Sequence, residues 1–218
     1  RFPIKFADAK VKEICVTFWD ANKDGELSLY EAAAVKEIND YMFSRRTDIT
    51  SFDELQYFAG LESITAYAFS DCTSLTSIVI PNSVKIIDTE TFSGCTSLKS
   101  VVIPNSVEHI RAGAFYNCSS LTSIELSNSL LELYNSPFIG CKSLTALNIP
   151  KSVTRINTNP VGGCSSLTSL TVEEGNTRYD SRDNCNAIIE TYSNTLIGGC
   201  KNTIEDRKSG SAGMPRPI

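Results

Sequence analysis

Asp20 to Glu31 read Asp-Ala-Asn-Lys-Asp-Gly-Glu-Leu-Ser-Leu-Tyr-Glu. Oxygen donors fall at alternate positions of this loop. Asp20, Asn22 and Asp24 supply side chains, Glu26 a carbonyl, and Ser28 a hydroxyl that can hold a water. Glu31 closes the loop with a carboxylate able to bind through both oxygens. A hard cation such as Ca²⁺ takes about six to eight oxygens at roughly 2.3–2.6 Å, and a glycine at the sixth position allows the tight turn. Gly25 stands there. The pattern predicts one Ca²⁺ held by Asp20, Asn22, Asp24, Glu26, Ser28 and Glu31. The plainer alternative is a polar turn between two helices.

Helices must position that loop. Val11, Ile14, Cys15, Phe18 and Trp19 follow a helical period before it, and Ala32 to Ile38 continue as a helix after it. The unit resembles an EF-hand. Such hands come in pairs bridged at the eighth loop position, here Leu27. Twenty-two residues on, Ile49 precedes Thr50-Ser51-Phe52-Asp53-Glu54-Leu55, like the second half of another loop and its exit helix. Met42 to Arg46 carry arginines where carboxylates belong, so this second hand is expected to pair without binding metal. The duplicated halves also resemble dockerin modules, which use two functional loops where this chain has one. A helix is expected over Ser51 to Ala59, with Ser51 as N-cap and Glu54 at its third position. It runs straight into Leu61 and Ile64. Residues 1–60 are therefore expected to cap the region that begins at Leu61.

From Leu61 the sequence repeats every 23 residues. Phe69, Phe92, Phe115, Phe138 and Val161 form one column, and Cys72, Cys95, Cys118, Cys141 and Cys164 another. Leu75 to Leu167, and Ile78 to Leu170, keep the same step. Ile-Pro closes the strand-like segment at Pro81, Pro104 and Pro150, with Ser127 in the third copy. A V-x-x-I segment comes next. The alternating L-x-x-I-x-I stretch predicts a short strand ended by proline, which has no ladder donor. One such coil cannot bury its apolar edge, whereas stacked coils can. These columns resemble the 23-residue leucine-rich repeats of BspA-like bacterial surface proteins, from about Leu61 to Thr203. The expected fold is α+β: an EF-hand-like pair over 1–60 capping a right-handed leucine-rich-repeat solenoid with short parallel strands over 61–205. Beyond Val172 the period breaks. Residues 174–197 are expected to form a hairpin excursion covering the end of the stack, and 206–218 a tail.

The cysteine column is expected to be free, buried thiols acting as small apolar fillers, because in-line spacing of about 4.8 Å suits neither a disulfide nor a tetrahedral metal. Cys15 is expected in a helix core. Cys185 and Cys200 could pair within the excursion. His109 is the single histidine and falls in a variable, outward column, so it is expected to be a plain surface residue.

Net charge −5 argues against nucleic-acid binding, and no apolar run is long enough to span a bilayer. No phosphate loop or nucleophile elbow appears, so enzymatic activity is not expected. The sequence opens at Arg1 without a charged-then-apolar leader, so an export signal is expected to have been removed or to lie outside it. Binding remains. The outward columns Thr76, Lys99, Thr122, Thr145, Thr168 and Val79, Val102, Glu125, Asn148, Thr171 are small and hydroxyl-rich, without an aromatic sugar platform. The BspA-like resemblance implies an extracellular or cell-surface monomer adhering to host or bacterial proteins. A structural spacer presenting a neighbouring domain, or a carbohydrate-binding accessory of a glycan-utilisation assembly, are the alternatives.

Overall fold

The computed structural model describes residues 2–201 and 203; the expected tail lies outside them. Helix α1 (Ala9–Trp19) starts at Asp8, whose Oδ1 accepts from the amides of Lys10 and Val11. Its buried face is Val11, Ile14 and Cys15. Helix α2 (Leu29–Ala34) begins at Ser28.

Then come six coils, each giving one strand to each of two faces: β1 (Glu37–Ile38) and β2 (Ser51–Phe52); β3 (Ser63–Ile64) and β4 (Ser77–Ile78); β5 (Ile86–Ile87) and β6 (Ser100–Val102); β7 (His109–Ile110) and β8 (Ser123–Glu125); β9 (Glu132–Leu133) and β10 (Ala146–Ile149); β11 (Arg155–Ile156) and β12 (Ser169–Val172). The odd-numbered strands form one continuous parallel ladder of six, β1-β3-β5-β7-β9-β11. The even-numbered strands pair only two by two: β2 with β4, β6 with β8, β10 with β12. The result is a right-handed solenoid with few helices.

The repeat columns become stacks. Phe43, Phe69, Phe92, Phe115 and Phe138 stack along the axis with ring centroids 4.9, 5.4, 5.3 and 5.7 Å apart. All five are fully buried. The Pro turns each close with a hydrogen bond, from Val84 to the Pro81 carbonyl at 3.1 Å and from Val107 to the Pro104 carbonyl at 3.0 Å. Ser127 supports the same turn, its carbonyl receiving the Leu130 amide at 3.1 Å. Its buried hydroxyl takes the Ser129 amide.

The thiols are more than fillers. Each cysteine Sγ of the column donates to the carbonyl of the phenylalanine one coil back: Cys72 to Phe43, Cys95 to Phe69, Cys118 to Phe92, Cys141 to Phe115 and Cys164 to Phe138, at 3.0–3.2 Å. Cysteine is both small enough for the core and a second, weak donor to a carbonyl that also accepts a backbone amide of its own coil, as Phe92 accepts from Cys95 at 3.2 Å.

The expected second hand is not there. Residues 37–60 form the first coil. β1 pairs with β3 and β2 with β4, both parallel. Phe43 leads the aromatic stack, and Ile49 lies in the core. The exit helix of the first hand stops at Ala34 instead of reaching Ile38, because Val35 turns extended (ψ 125°) to feed β1. The helix expected over Ser51–Ala59 is strand β2 followed by a short 3₁₀ helix, Asp53–Tyr57, with no side-chain N-cap. Ladder pairing and burial of Phe52 outweigh the local capping signal. The Leu27 carbonyl pairs with the amide of Ile4 at 2.8 Å, not with Ile49.

The helical segment seals the first coil. Trp19 meets Phe58 edge-on at 5.2 Å, and Glu54 accepts from the Ala7 amide at 2.8 Å. The backbone approach is close enough that a Cβ at Gly60 would stand 2.3 Å from the Ala33 carbonyl oxygen.

At the far end, β13 (Tyr179–Asp180), β14 (Ala187–Glu190) and β15 (Thr195–Gly199) form a three-stranded antiparallel sheet. The Tyr179 hydroxyl accepts the amide of Ile156 at 2.7 Å, where another coil would place a carbonyl. Asn176 donates to the carbonyls of Pro150 and Val153. Ile188 is fully buried in the main core. The excursion is thus a sheet laid over the last coil. Cys185 and Cys200 are free thiols, and Cys200 donates to the Asn186 carbonyl.

Candidate functional site

The loop between α1 and α2 is built by its own carboxylates. Asp20 Oδ1 accepts from the amide of Lys23 at 2.8 Å and of Asp24 at 3.3 Å, and its Oδ2 accepts from Gly25 at 2.8 Å. Asn22 takes the Asp24 amide and Asp24 takes the Glu26 amide. Gly25 has φ +84°, the left-handed region where a side chain is strained.

Glu31 bridges the loop's two ends. Its Oε1 accepts from the amides of Ala21 and Asn22 at 3.1 and 3.3 Å, and its Oε2 from the amide and hydroxyl of Ser28 at 2.9 and 2.7 Å. With the Glu31 amide donating to Ser28 Oγ, this is a capping box for α2. Hydrogen bonds from the Ser28 hydroxyl and amide hold the Glu31 carboxyl below its ordinary pKa. The motif Ser28-x-x-Glu31 was the sequence signal for this second use.

The donor set is all oxygen and suits a hard cation. Its arrangement is a hydrogen-bonded one. Among the described residues no three His, Cys, Asp or Glu groups converge as a metal site. Asp24 is exposed, Glu26 pairs with Lys12 at 2.7 Å, and Ser28 and Glu31 are buried in the cap. Bidentate binding would require Glu31 to exchange its backbone partners for the ion.

The outward columns divide in use. The threonine hydroxyls are engaged along the axis: Thr76 donates to the Thr50 carbonyl, Thr122 to Lys99, Thr145 to Thr122 and Thr168 to Thr145. Val79, Val102, Glu125, Asn148 and Thr171 face outward beside them, Val102 at 66% exposure. His109, expected as a plain surface residue, is half-buried on β7 with Nδ1 3.6 Å from Glu132 Oε2. Arg155 continues that row.

The pairing of Tyr41 with Tyr67 was not anticipated from the sequence. The two rings stack at 5.0 Å and 3°, and both residues have positive φ. Each ring covers one face of the other, and Tyr41 remains 59% exposed. The clue was a tyrosine two residues before the aromatic column in consecutive coils.

Residues 62–188 match the BspA type leucine-rich repeat region in six copies. Comparison with curated proteins finds no match. Among solved structures, the chain resembles the pneumococcal vaccine antigen PcpA (23% identity, 75% of this chain and 42% of that one, TM-score 0.64). It also resembles a leucine rich cell surface protein from Faecalibacterium prausnitzii A2-165 (26% identity, 74% and 48%, TM-score 0.54) and a leucine-rich repeat protein from Eubacterium ventriosum (16% identity, 78% and 45%, TM-score 0.57). The chain spans less than half the length of each of the three.

Proposed function

This chain belongs to the BspA type leucine-rich repeat family, and we propose that it is a non-enzymatic cell-surface or secreted module that binds another protein. The observation that carries this is the even-numbered strand face. Its hydroxyls are engaged between coils, and small, mostly uncharged side chains present a low surface suited to a partner's backbone and apolar groups. The likeness to a Faecalibacterium cell surface protein supports the location. No helix among the described residues is long and apolar enough to cross a membrane.

We also infer that the loop takes one Ca²⁺, with Asp20, Asn22, Asp24, Glu26, Ser28 and Glu31 as its ligands. The ion would join the two ends of the loop and so stabilise the N-terminal cap. The support is donor chemistry and spacing.

The test is capture by the full chain, in the presence of Ca²⁺, from host-matrix and bacterial surface protein panels and from a glycan array. Saturable binding to a protein supports the reading. Binding to glycans alone, or to nothing while a neighbouring domain binds, favours the carbohydrate or spacer alternative instead.

A further inference from the structure

We propose that the N-terminal strap, residues 2–8, braces the 20–31 loop against the first coil, and that Ile4 is thereby a positioning residue for Ca²⁺. This rests on the calcium reading and adds what holds the loop ready.

The strap reads as extended chain. Ile4, Phe6 and Asp8 are its covered positions, and Lys5 and Ala7 are exposed, the period of two that extended backbone gives. Its front end lies antiparallel on the loop, with Pro3 opposite Ser28. The bonds come from the neighbours of that pair. The Ile4 amide donates to the Leu27 carbonyl at 2.8 Å, and the Leu29 amide to the Phe2 carbonyl at 3.3 Å. Proline therefore stands at a pairing position that asks for no donor. The rear end is fastened to the first coil. Phe6 packs on Phe52 with ring centroids 6.4 Å apart, the Ala7 amide donates to Glu54, and Asp8 accepts from Thr50.

The bonded stretch lies among the proposed ligands. Glu26 and Ser28 flank Leu27, which is fully buried, and Glu31 reaches back to the Ser28 amide. The other half of the loop, residues 21–25, is exposed, and its amides bond to the loop's own side chains. Residues 37–60 are spent on the first coil, so no second hand braces the loop, and the strap stands in that place. Holding a loop in its binding shape lowers the ordering cost of binding, so affinity should depend on the strap. The coupling is reciprocal: an ion held more tightly when the strap is closed holds the strap closed in turn.

The experiment has two arms, both on the full chain. Calorimetric titration with Ca²⁺ compares the parent with Ile4→Pro, which deletes the donor to Leu27, and with Ile110→Val, a buried change in the fourth coil remote from the loop. Kd should rise ~10-fold or more with Ile4→Pro and stay unchanged with Ile110→Val, although both lower the melting temperature. Circular dichroism melts verify folding of both variants. Hydrogen exchange then reads the parent alone, and it decides the matter if Ile4→Pro does not fold. The Ile4 and Leu29 amides should exchange ~10-fold or more slowly with saturating Ca²⁺ than with chelator, which is the reciprocal effect. Equal Kd in folded Ile4→Pro and the parent, or exchange at these two amides that bound Ca²⁺ leaves unchanged, would overturn the brace and leave the calcium reading standing. A parent that binds no Ca²⁺ overturns both.

Discussion

The carboxylate of Asp8 holds Thr50 across 42 positions of sequence: Oδ2 accepts the Thr50 amide at 2.7 Å and its hydroxyl at 2.9 Å. The other oxygen caps α1. One side chain therefore starts the helix and ties it to the first coil, which makes the N-terminal segment part of the solenoid's stability.

Asp8→Ala should lower stability by about 1–3 kcal/mol, through the lost cap and the orphaned Thr50 groups. Burial alone would raise the Asp8 pKa, but hydrogen bonds from Thr50, Val11 and Lys10 outweigh it, so it lies below the usual 3.8. A depressed pKa gives stability that is present above the unfolded value and lost as pH falls through the folded one. Melting temperature measured from pH 6 down to 2.5 should drop more steeply in the parent than in Asp8→Asn. Parallel curves would refute the linkage.

The cysteine column should be silent to Ellman's reagent until the chain unfolds. Burial pushes the Cys118 thiol up to about 12 and Cys164 to about 11, and raises Cys141 also. Raised values contribute stability below the unfolded thiol pKa of about 9 that is lost as pH climbs toward the folded values. Melts should therefore fall between pH 9 and 10.5. Cys118→Ala should cost about 1 kcal/mol or more, mainly from the void, since the Phe92 carbonyl loses the thiol but keeps the Cys95 amide. Rapid native labelling of all five thiols would contradict the burial.

Calorimetric titration of the full chain should give one Ca²⁺, with Kd of roughly 10⁻⁶ to 10⁻³ M. Glu31→Gln should abolish it. At a hundredfold excess over Kd the ion adds about 2.7 kcal/mol. Because Asp8, Glu54 and Trp19 join the cap to the first coil, that gain should appear in a single transition of the whole chain. Two ions per chain or none would refute the site, and an early transition that alone responds to chelator would refute the coupling.

Asp71, Gly94, Asn117 and Gly140 succeed one another in a column of left-handed residues. A Cβ at Gly94 would fall 2.2 Å from Asp71 Oδ1, and one at Gly140 would fall 2.1 Å from Asn117 Oδ1. Gly94→Ala should cost about 1–2 kcal/mol from its positive φ together with the clash. Adding Asp71→Gly should recover part of it. Additive denaturant-melt penalties would show that the two coils do not interact there.

The solenoid was legible because every coil presents the same residue types to the same core. The first coil was not, since its offset is 26 residues and its occupants are atypical: Arg46 for cysteine, Ile49 for leucine, Phe52 for isoleucine. The 3₁₀ helix Asp53–Tyr57 takes up the extra length at the rim, leaving Phe43 and Phe52 in register with Phe69 and Ile78. The Asp20–Glu31 loop was legible in its oxygen donors but not in its geometry. Glu31 bonds the amides of Ala21, Asn22 and Ser28, and a spacing that fits metal ligation fits a capping box equally well.

Tyr179 gives the stack a counted length. By occupying the Ile156 amide it acts as a full stop that any number of clauses can precede. Duplicating one internal 23-residue unit would lengthen the rod and leave its punctuation intact. Removing the phenol would free the Ile156 amide while Asn176, Ser181 and the sheet still cover the rest of the last coil. The difference between a single rod and a fibre is set, at this end, by Tyr179 together with Asn176, Ser181 and the sheet that carries Ile188.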